Sequence, residues 1–80
     1  MTLGCAFVLR LEHYLKQHNM TLYRFTKESG ISRSAITNLT TGNSKSPTLR
    51  LVFQAAKAFG ITPIQFLDCD ALHIENVEIE

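Results

Sequence analysis

A short run of polar side chains without an acid is the part of this sequence best suited to chemistry. Its hydrogen-bonding side chains are Arg33, Ser34, Thr37 and Asn38. Apolar residues between them recur at helical spacing, which predicts a helix over residues 33–41 whose buried face is set by Ala35, Ile36 and Leu39. The outer face of this helix then presents donors and acceptors without negative charge. Such a face suits hydrogen bonding to polar groups such as the edges of nucleic-acid bases.

A second helix and a tight turn precede this segment and must position it. Thr21 is a favoured N-cap residue, and the helix that it begins reaches about Ser29. Gly30 then permits the left-handed conformation that a reversal of the chain needs. Ser32 is a good N-cap for the following helix. The two helices and their turn have the sequence shape of a helix-turn-helix, which places one helix in a DNA groove.

Three further helices complete the predicted fold, an all-α domain over residues 1–67. The first helix runs from about Cys5 to His18 and places Arg10 among the polar residues of its outer face. The fourth runs over about residues 48–59. Thr62 caps a short, apolar fifth helix with Pro63 at its first position. A polar loop over residues 43–48 precedes the fourth helix.

The tail, residues 68–80, allows three interpretations: a strand that pairs with a second subunit, a packed extension, or a frayed terminus. Apolar and acidic side chains alternate in it, but Val77 breaks the phase with Ile74. We favour a role in dimerisation, because too little chain remains to cover the fifth helix within one monomer. The predicted dimer interface consists of Ile64, Phe66, Leu67, Leu72 and Ile74.

The charges are divided unevenly between the domain and the tail. Residues 1–67 contain all eight Lys and Arg residues and two acids, a net charge of +6, whereas residues 68–80 contain five acids and no Lys or Arg. A basic body with an acidic tail fits a polyanion-binding domain. It fits equally well a solvated surface with an acidic terminus.

No catalytic, metal or cofactor site is predicted, and we expect no enzyme. His13, His18 and His73 do not cluster with cysteines or carboxylates in a metal-binding or catalytic-triad pattern. Cys5 and Cys69 lie in no metal-ligand spacing. No apolar run reaches the roughly 20 residues that span a bilayer, and the first residues lack a signal-peptide pattern. We therefore expect a cytoplasmic protein that does not contact a membrane.

From about residue 11 to residue 67, the chain resembles the Cro/repressor-type (XRE-like) helix-turn-helix family of phage and bacterial regulators. The resemblance rests on Thr26 to Gly30, on ISRSAI and LTTG in the motif, on Pro47, and on the closing segment LVFQAAKAFGITPIQFL. It implies a compact, five-helix, lambda-repressor-like fold. The implied function is sequence-specific transcriptional regulation, with repression favoured, by a homodimer that inserts helix 33–41 into the major groove of double-stranded DNA. The alternative is a protein-interaction module, such as an antitoxin or the partner of another regulator, with the acidic tail as a contact.

The resemblance and the predicted helix ends together assign residues to two groups. The base-reading group is Arg33, Ser34, Ala35, Thr37 and Asn38. The group near the DNA backbone is Thr21, Leu22, Tyr23, Ser32, Asn43, Ser44 and Lys45. In the second group, the Leu22 and Tyr23 amides would hold one phosphate at a helix N-terminus. Lys45, with the Asn43 and Ser44 amides, would hold another.

The sequence departs from the family pattern at several positions. Thr26 stands where the family usually has Ala, so its hydroxyl needs a partner, and Ser29 replaces an apolar residue. Leu15 and Thr40 match positions where many members pair a buried Arg with a Glu. Because both charges are absent together, no unpaired buried charge is left behind. Leu22 replaces a phosphate-contacting Gln, which leaves only backbone amides at that point.

Overall fold

A computed structural model of the chain describes residues 1–78, and its regular structure is helical. The five α-helices are α1 (Leu3–Gln17), α2 (Leu22–Ser29), α3 (Arg33–Thr41), α4 (Leu49–Phe59) and α5 (Pro63–Leu67). Two 3-10 turns follow, at Asp70–Leu72 and Ile74–Asn76. The prediction of an all-α, five-helix domain is confirmed. No helix within residues 1–78 is long and apolar enough to cross a membrane.

The ends of the helices follow local side-chain chemistry. Every α-helix begins after a residue whose hydroxyl accepts a hydrogen bond from an amide of the first turn, and these residues are Thr2, Thr21, Ser32, Thr48 and Thr62. A glycine in the left-handed conformation ends three helices, at Gly30, Gly42 and Gly60. The predicted start of the first helix near Cys5 is wrong, because the Thr2 cap starts α1 at Leu3. The bounds of α2 and α3 agree with the prediction.

Aromatic rings from four helices form the centre of the core. The Tyr14 ring stacks on Phe59 with a centroid separation of 5.3 Å and on Phe66 at 5.8 Å. Phe25 stacks on Phe59 at 5.2 Å, and Phe7 packs against Phe66 at 5.4 Å. The Phe66 side chain is 0% exposed. The prediction that Phe66 belongs to a dimer interface is therefore wrong, because its ring anchors α5 in the core of the monomer.

Arg10 joins α1 to the end of α5. Its Nε donates to the Phe66 carbonyl at 2.7 Å, and its Nη2 donates to the carbonyls of Gln65 at 2.9 Å and Asp68 at 3.1 Å. The guanidinium carbon also lies 4.7 Å from the centroid of the Tyr14 ring. The last carbonyls of α5 thus gain donors, and the positive charge complements the helix dipole. Arg10 packs within the fold, although the helical pattern placed it on an outer face.

The tail packs against α1. Its first 3-10 turn contacts α1, the Glu78 amide donates to the Met1 carbonyl at 2.8 Å, and Thr2 and Glu78 form an isolated parallel bridge. Of the three interpretations of the tail, the packed extension agrees with the structure up to Glu78. Ile79 and Glu80, the end of the predicted strand, lie outside the described residues.

Candidate nucleic-acid interface

The turn between α2 and α3 is held by hydrogen bonds around Ser29. The Ile31 amide donates to Ser29 Oγ at 3.1 Å, and Gln54 of α4 donates through Nε2 to the Ser29 carbonyl at 3.3 Å. Ile31 is buried in the corner of the motif, directly after the left-handed Gly30. The hydroxyl of Ser29, at a position where the family has an apolar residue, therefore fixes the turn that orients α3.

At the other positions that depart from the family pattern, the hydroxyl groups also have hydrogen-bond partners. Thr26 Oγ1 donates to the Tyr23 carbonyl at 2.7 Å, so its hydroxyl finds a partner one turn earlier in α2. Thr40 Oγ1 donates to the Ile36 carbonyl at 3.0 Å. Leu15 and Thr40 line one groove between α1 and α3. The positions that hold an ion pair in many family members are therefore uncharged here, although Glu12 and Arg33 line the same groove.

The outer face of α3 brings together four of the five predicted base-reading residues. Arg33, Ser34, Thr37 and Asn38 are exposed, whereas Ala35 is half-buried against the core at the edge of this face. Ile36 and Leu39 are buried on the opposite side. Among residues 1–78, the Arg33 side chain has no hydrogen-bond or ion-pair partner. A free guanidinium at the start of an acid-free helix can therefore donate to an approaching ligand.

Two helix N-termini lie beside the motif, each with its cap in place. Thr21 Oγ1 accepts from the Arg24 amide at 3.1 Å, and Ser32 Oγ accepts from the Ala35 amide at 3.1 Å. Each hydroxyl still has its own hydrogen to donate. The first amides of α2 and α3 have no acceptor within their helices. These two helix ends can therefore donate hydrogen bonds to an anion.

Tyr23 lies in the first turn of α2, beside the helix N-terminus that Thr21 caps. Its side chain is 67% exposed, and Lys27 Nζ lies 5.4 Å from the centroid of its ring. Arg24, on the same helix, pairs with Glu28 at 3.2 Å. The phenol is therefore accessible, while the Arg24 charge is already balanced by a neighbouring carboxylate.

The loop after α3 is tied to the rest of the fold through its backbone. The Ser44 amide donates to the Asn38 carbonyl at 2.9 Å, and the Lys45 carbonyl accepts from the Gly4 amide at 2.9 Å. The prediction that the Ser44 amide would hold a phosphate is therefore wrong, because this amide completes the end of α3. Asn43 and Lys45 are exposed at the edge of the same loop.

Gly4, which was not among the predicted site residues, lies against the loop that follows α3. A Cβ at this position would lie 3.1 Å from the Lys45 carbonyl oxygen and 3.1 Å from Leu39 Cδ2. Only a glycine lets α1 approach the loop this closely without moving it. Gly4 lies directly before the predicted start of the first helix near Cys5, so the helical pattern gave no signal of this contact.

Metal-binding side chains are not clustered in the part of the chain that the structure describes. Within residues 1–78, no three His, Cys, Asp or Glu side chains come together in an arrangement that could hold a metal ion. Cys5 and Cys69 are both free thiols.

Comparison with protein-family models gives one match, described as helix-turn-helix, over residues 11–67. The chain therefore belongs to the Cro/repressor-type helix-turn-helix family. The matched region includes the whole of α2 to α5, and with them the acid-free face of α3. The kind of function that this family defines is DNA-binding transcription regulation. Comparisons with curated proteins and with solved structures returned no match.

Proposed function

We propose that this chain is a sequence-specific transcriptional repressor that binds DNA as a homodimer and inserts α3 into the major groove. The observation that carries this proposal is the exposed, acid-free outer face of α3, with Arg33 unpaired among residues 1–78. A helix fits the width of the major groove, where each base pair presents a distinct pattern of donors and acceptors. This activity belongs in the cytoplasm, where bacterial and phage DNA is found.

The residues of the surface divide into readers of bases and contacts to phosphates. Arg33 suits a bidentate contact to guanine and Asn38 a bidentate contact to adenine, with Ser34 and Thr37 between them and Ala35 as their apolar border. Phosphate contacts would come from the hydroxyls of Thr21, Tyr23 and Ser32, from the first amides of α2, including that of Leu22, and from the side chains of Asn43, Ser44 and Lys45. Phosphate contacts fix the position of the protein on the duplex, and base contacts supply the specificity.

The homodimer is proposed from the exposed apolar side chains of α5 and the tail. Ile64 is 81% exposed and Ile74 is 76% exposed, and Leu67 and Leu72 are partly accessible. Exposed apolar side chains that lie together mark interaction surfaces in small proteins. A twofold dimer of such domains reads two half-sites roughly 34 Å apart on one face of the duplex.

Selection of bound sequences from random duplexes, at a stated salt concentration, tests the proposal. We expect enrichment of a palindromic consensus, because the twofold axis of the protein would be matched by the DNA. Enrichment of a single half-site would contradict the homodimer alone. Absence of any enrichment would contradict DNA reading by α3 and favour the alternative, a protein-interaction module.

A further inference from the structure

The outward face of α4 carries a second stripe of side chains. The inward stripe, at helical spacing, is Val52, Ala55, Ala56 and Phe59, all of them buried. The outward stripe, at the same spacing, is Arg50, Phe53, Gln54 and Lys57. Together with Gly60, Ile61 and Pro63, the outward stripe lines a shallow groove, which we call the α4–α5 groove. One apolar stripe is enough for a helix to pack on the core. The second stripe of α4 is therefore not needed to pack α4 on the core.

The α4–α5 groove is both apolar and positively charged. Phe53 is 55% exposed, and no acid lines the groove. Within residues 1–78, the side chains of Arg50 and Lys57 form no hydrogen bond or ion pair. The only acids among residues 1–67 are Glu12 and Glu28, on α1 and α2. Nothing within the described chain neutralises the two cations of the groove.

We propose that the α4–α5 groove binds an acidic, apolar segment of a partner protein. An apolar side chain of the segment packs on Phe53 and Ile61, and two carboxylates pair with Arg50 and Lys57. These two cations are seven residues apart on one helix, about 10 Å along its axis. The carboxylates of the partner therefore need a similar separation, which is about two turns of a helix or three residues of an extended strand.

Charge argues against a second copy of this chain as the occupant. A twofold contact places the same patch of both subunits against itself, so Arg50 and Lys57 of one subunit would face cations of the other. The acidic tail of the same chain does not fill the groove either, because residues 70–78 pack on α1 and Met1. A separate chain with acidic and apolar residues meets both requirements of the groove.

Position argues against DNA as the occupant. Gln54, in the groove, donates to the Ser29 carbonyl and so fixes the groove beside the C-terminal end of α2. The phosphate contacts proposed for Thr21, Leu22 and Tyr23 lie at the opposite, N-terminal end of α2, and the one proposed for Ser32 uses the start of α3, which does not line the groove. Binding to phosphates also gains nothing from an exposed phenylalanine ring. We infer that the partner and the operator bind different surfaces and that both can be bound at once.

Selection from a phage-displayed library of random 16-residue peptides on the immobilised full chain tests this proposal. We expect enriched peptides to carry at least two acids around an apolar pair. Their affinity should fall about tenfold with Phe53→Gln and with the double variant Arg50→Glu/Lys57→Glu, since buried aromatic and charged anchors dominate such contacts. The matched controls are Lys16→Glu, an exposed cation on α1, and Leu9→Gln, an exposed apolar residue on α1 outside the groove. Both controls should retain the wild-type affinity.

An independent measurement avoids dependence on the folding of the variants. The best enriched peptide is added to isotope-labelled wild-type protein, and shifts of the amide signals are expected over residues 50–61. Prior binding of an operator duplex should leave these shifts unchanged.

Several outcomes would overturn the proposal. They are absence of enrichment, enrichment without acids, and shifts that map to α3 or to the tail. A change from dimer to monomer in Phe53→Gln, measured by sedimentation, would assign the groove to a second copy. Competition between peptide and duplex for the wild-type protein would assign it to DNA.

Discussion

Arg33 is the first residue of α3, and its guanidinium has no partner within residues 1–78. We expect Arg33→Ala to remove about 1–3 kcal/mol of discrimination at one base pair of each half-site. Arg33→Lys should restore affinity more than discrimination, because an ammonium keeps the charge but loses the planar bidentate geometry. Competition binding with single-base operator variants measures both quantities.

Lys57→Ala is the control for this comparison, since it removes an exposed cation of α4 outside the proposed DNA-binding surface. An unchanged base preference in Arg33→Ala would remove Arg33 from the group of base readers.

Arg10 supports the fold through three carbonyl groups and one aromatic ring. Arg10→Met keeps an apolar stem of similar length but leaves the Phe66, Gln65 and Asp68 carbonyls without these donors. We expect the free energy of unfolding to fall by about 1–3 kcal/mol, the range for hydrogen bonds from charged groups. Urea denaturation measures this change, with Lys16→Met as the control on the same helix. Equal stability of the two variants would show that solvent replaces these bonds without loss.

The elements of this fold differ in how far they could be predicted from sequence. Hydroxyl caps and left-handed glycines determine the ends of α2 and α3, and both signals are local, so the prediction agreed with the structure there. The buried position of Phe66 and the contacts of Arg10 with the end of α5 could not be predicted, for a different reason. A helix of five residues is too short for periodicity to show which side is buried, and a charged residue on a helix reveals nothing about carbonyls fifty residues away.

The residues of the candidate DNA-binding surface also differ in how far they could be predicted. The exposed face of α3 follows from its own periodicity, so the position of Arg33 and Asn38 could be predicted. The use of the Ser44 amide by the Asn38 carbonyl depends on the path of the loop after Gly42. Sequence alone does not determine that path, because it also depends on the contact between Gly4 and Lys45.

The packing of α1 against the loop gives a test at the level of elements. In Gly4→Ala, the new methyl group would meet the Lys45 carbonyl oxygen and Leu39 Cδ2, each at 3.1 Å. We expect the loop to shift and stability to fall by about 1–2 kcal/mol, because crowding outweighs the better helix propensity of alanine. DNA affinity should fall as well, since the shifted loop carries proposed phosphate contacts.

Gly60→Ala is the matched control for Gly4→Ala. At Gly60, φ is +70° and no atom lies within 4 Å of the added Cβ, so the change strains the backbone without crowding the loop. We expect the free energy of unfolding of Gly60→Ala to fall by about 1–2 kcal/mol, and its DNA affinity per folded molecule to stay the same. Wild-type DNA affinity in Gly4→Ala would contradict the proposed role of the loop.

At the scale of the whole molecule, the acidic tail opposes the basic body. Residues 1–67 carry a net charge of +6, and the tail reduces the total to +1. We expect the double variant Glu75→Gln/Glu78→Gln to bind DNA a few-fold more tightly at about 50 mM salt, with the difference lost near 0.5 M as screening shortens the range of charge interactions. Fluorescence anisotropy of a labelled duplex over a salt series measures this difference.

The control for the tail variant is Asn76→Asp, which adds an acid to the same segment and should have the opposite effect. Asn76 Nδ2 donates to the Asp70 carbonyl at 2.7 Å, and Asn76→Asp removes this donor. The helical content and the unfolding midpoint of the Asn76→Asp variant must therefore be measured as well. A salt-independent difference in affinity would show that the tail acts through packing and not through its charge.

The arrangement of the aromatic residues supplies two optical reporters. The chain has two tyrosines and no tryptophan. The Tyr14 ring packs against Phe59, Phe66 and the Arg10 guanidinium, whereas the Tyr23 side chain is largely exposed at the edge of the proposed DNA contact. The near-ultraviolet circular dichroism of Tyr14 therefore follows the integrity of the core, and the emission of Tyr23 follows the approach of a duplex. A Tyr23→Phe variant identifies the part of the emission that comes from Tyr23, so folding and binding can be followed without a label.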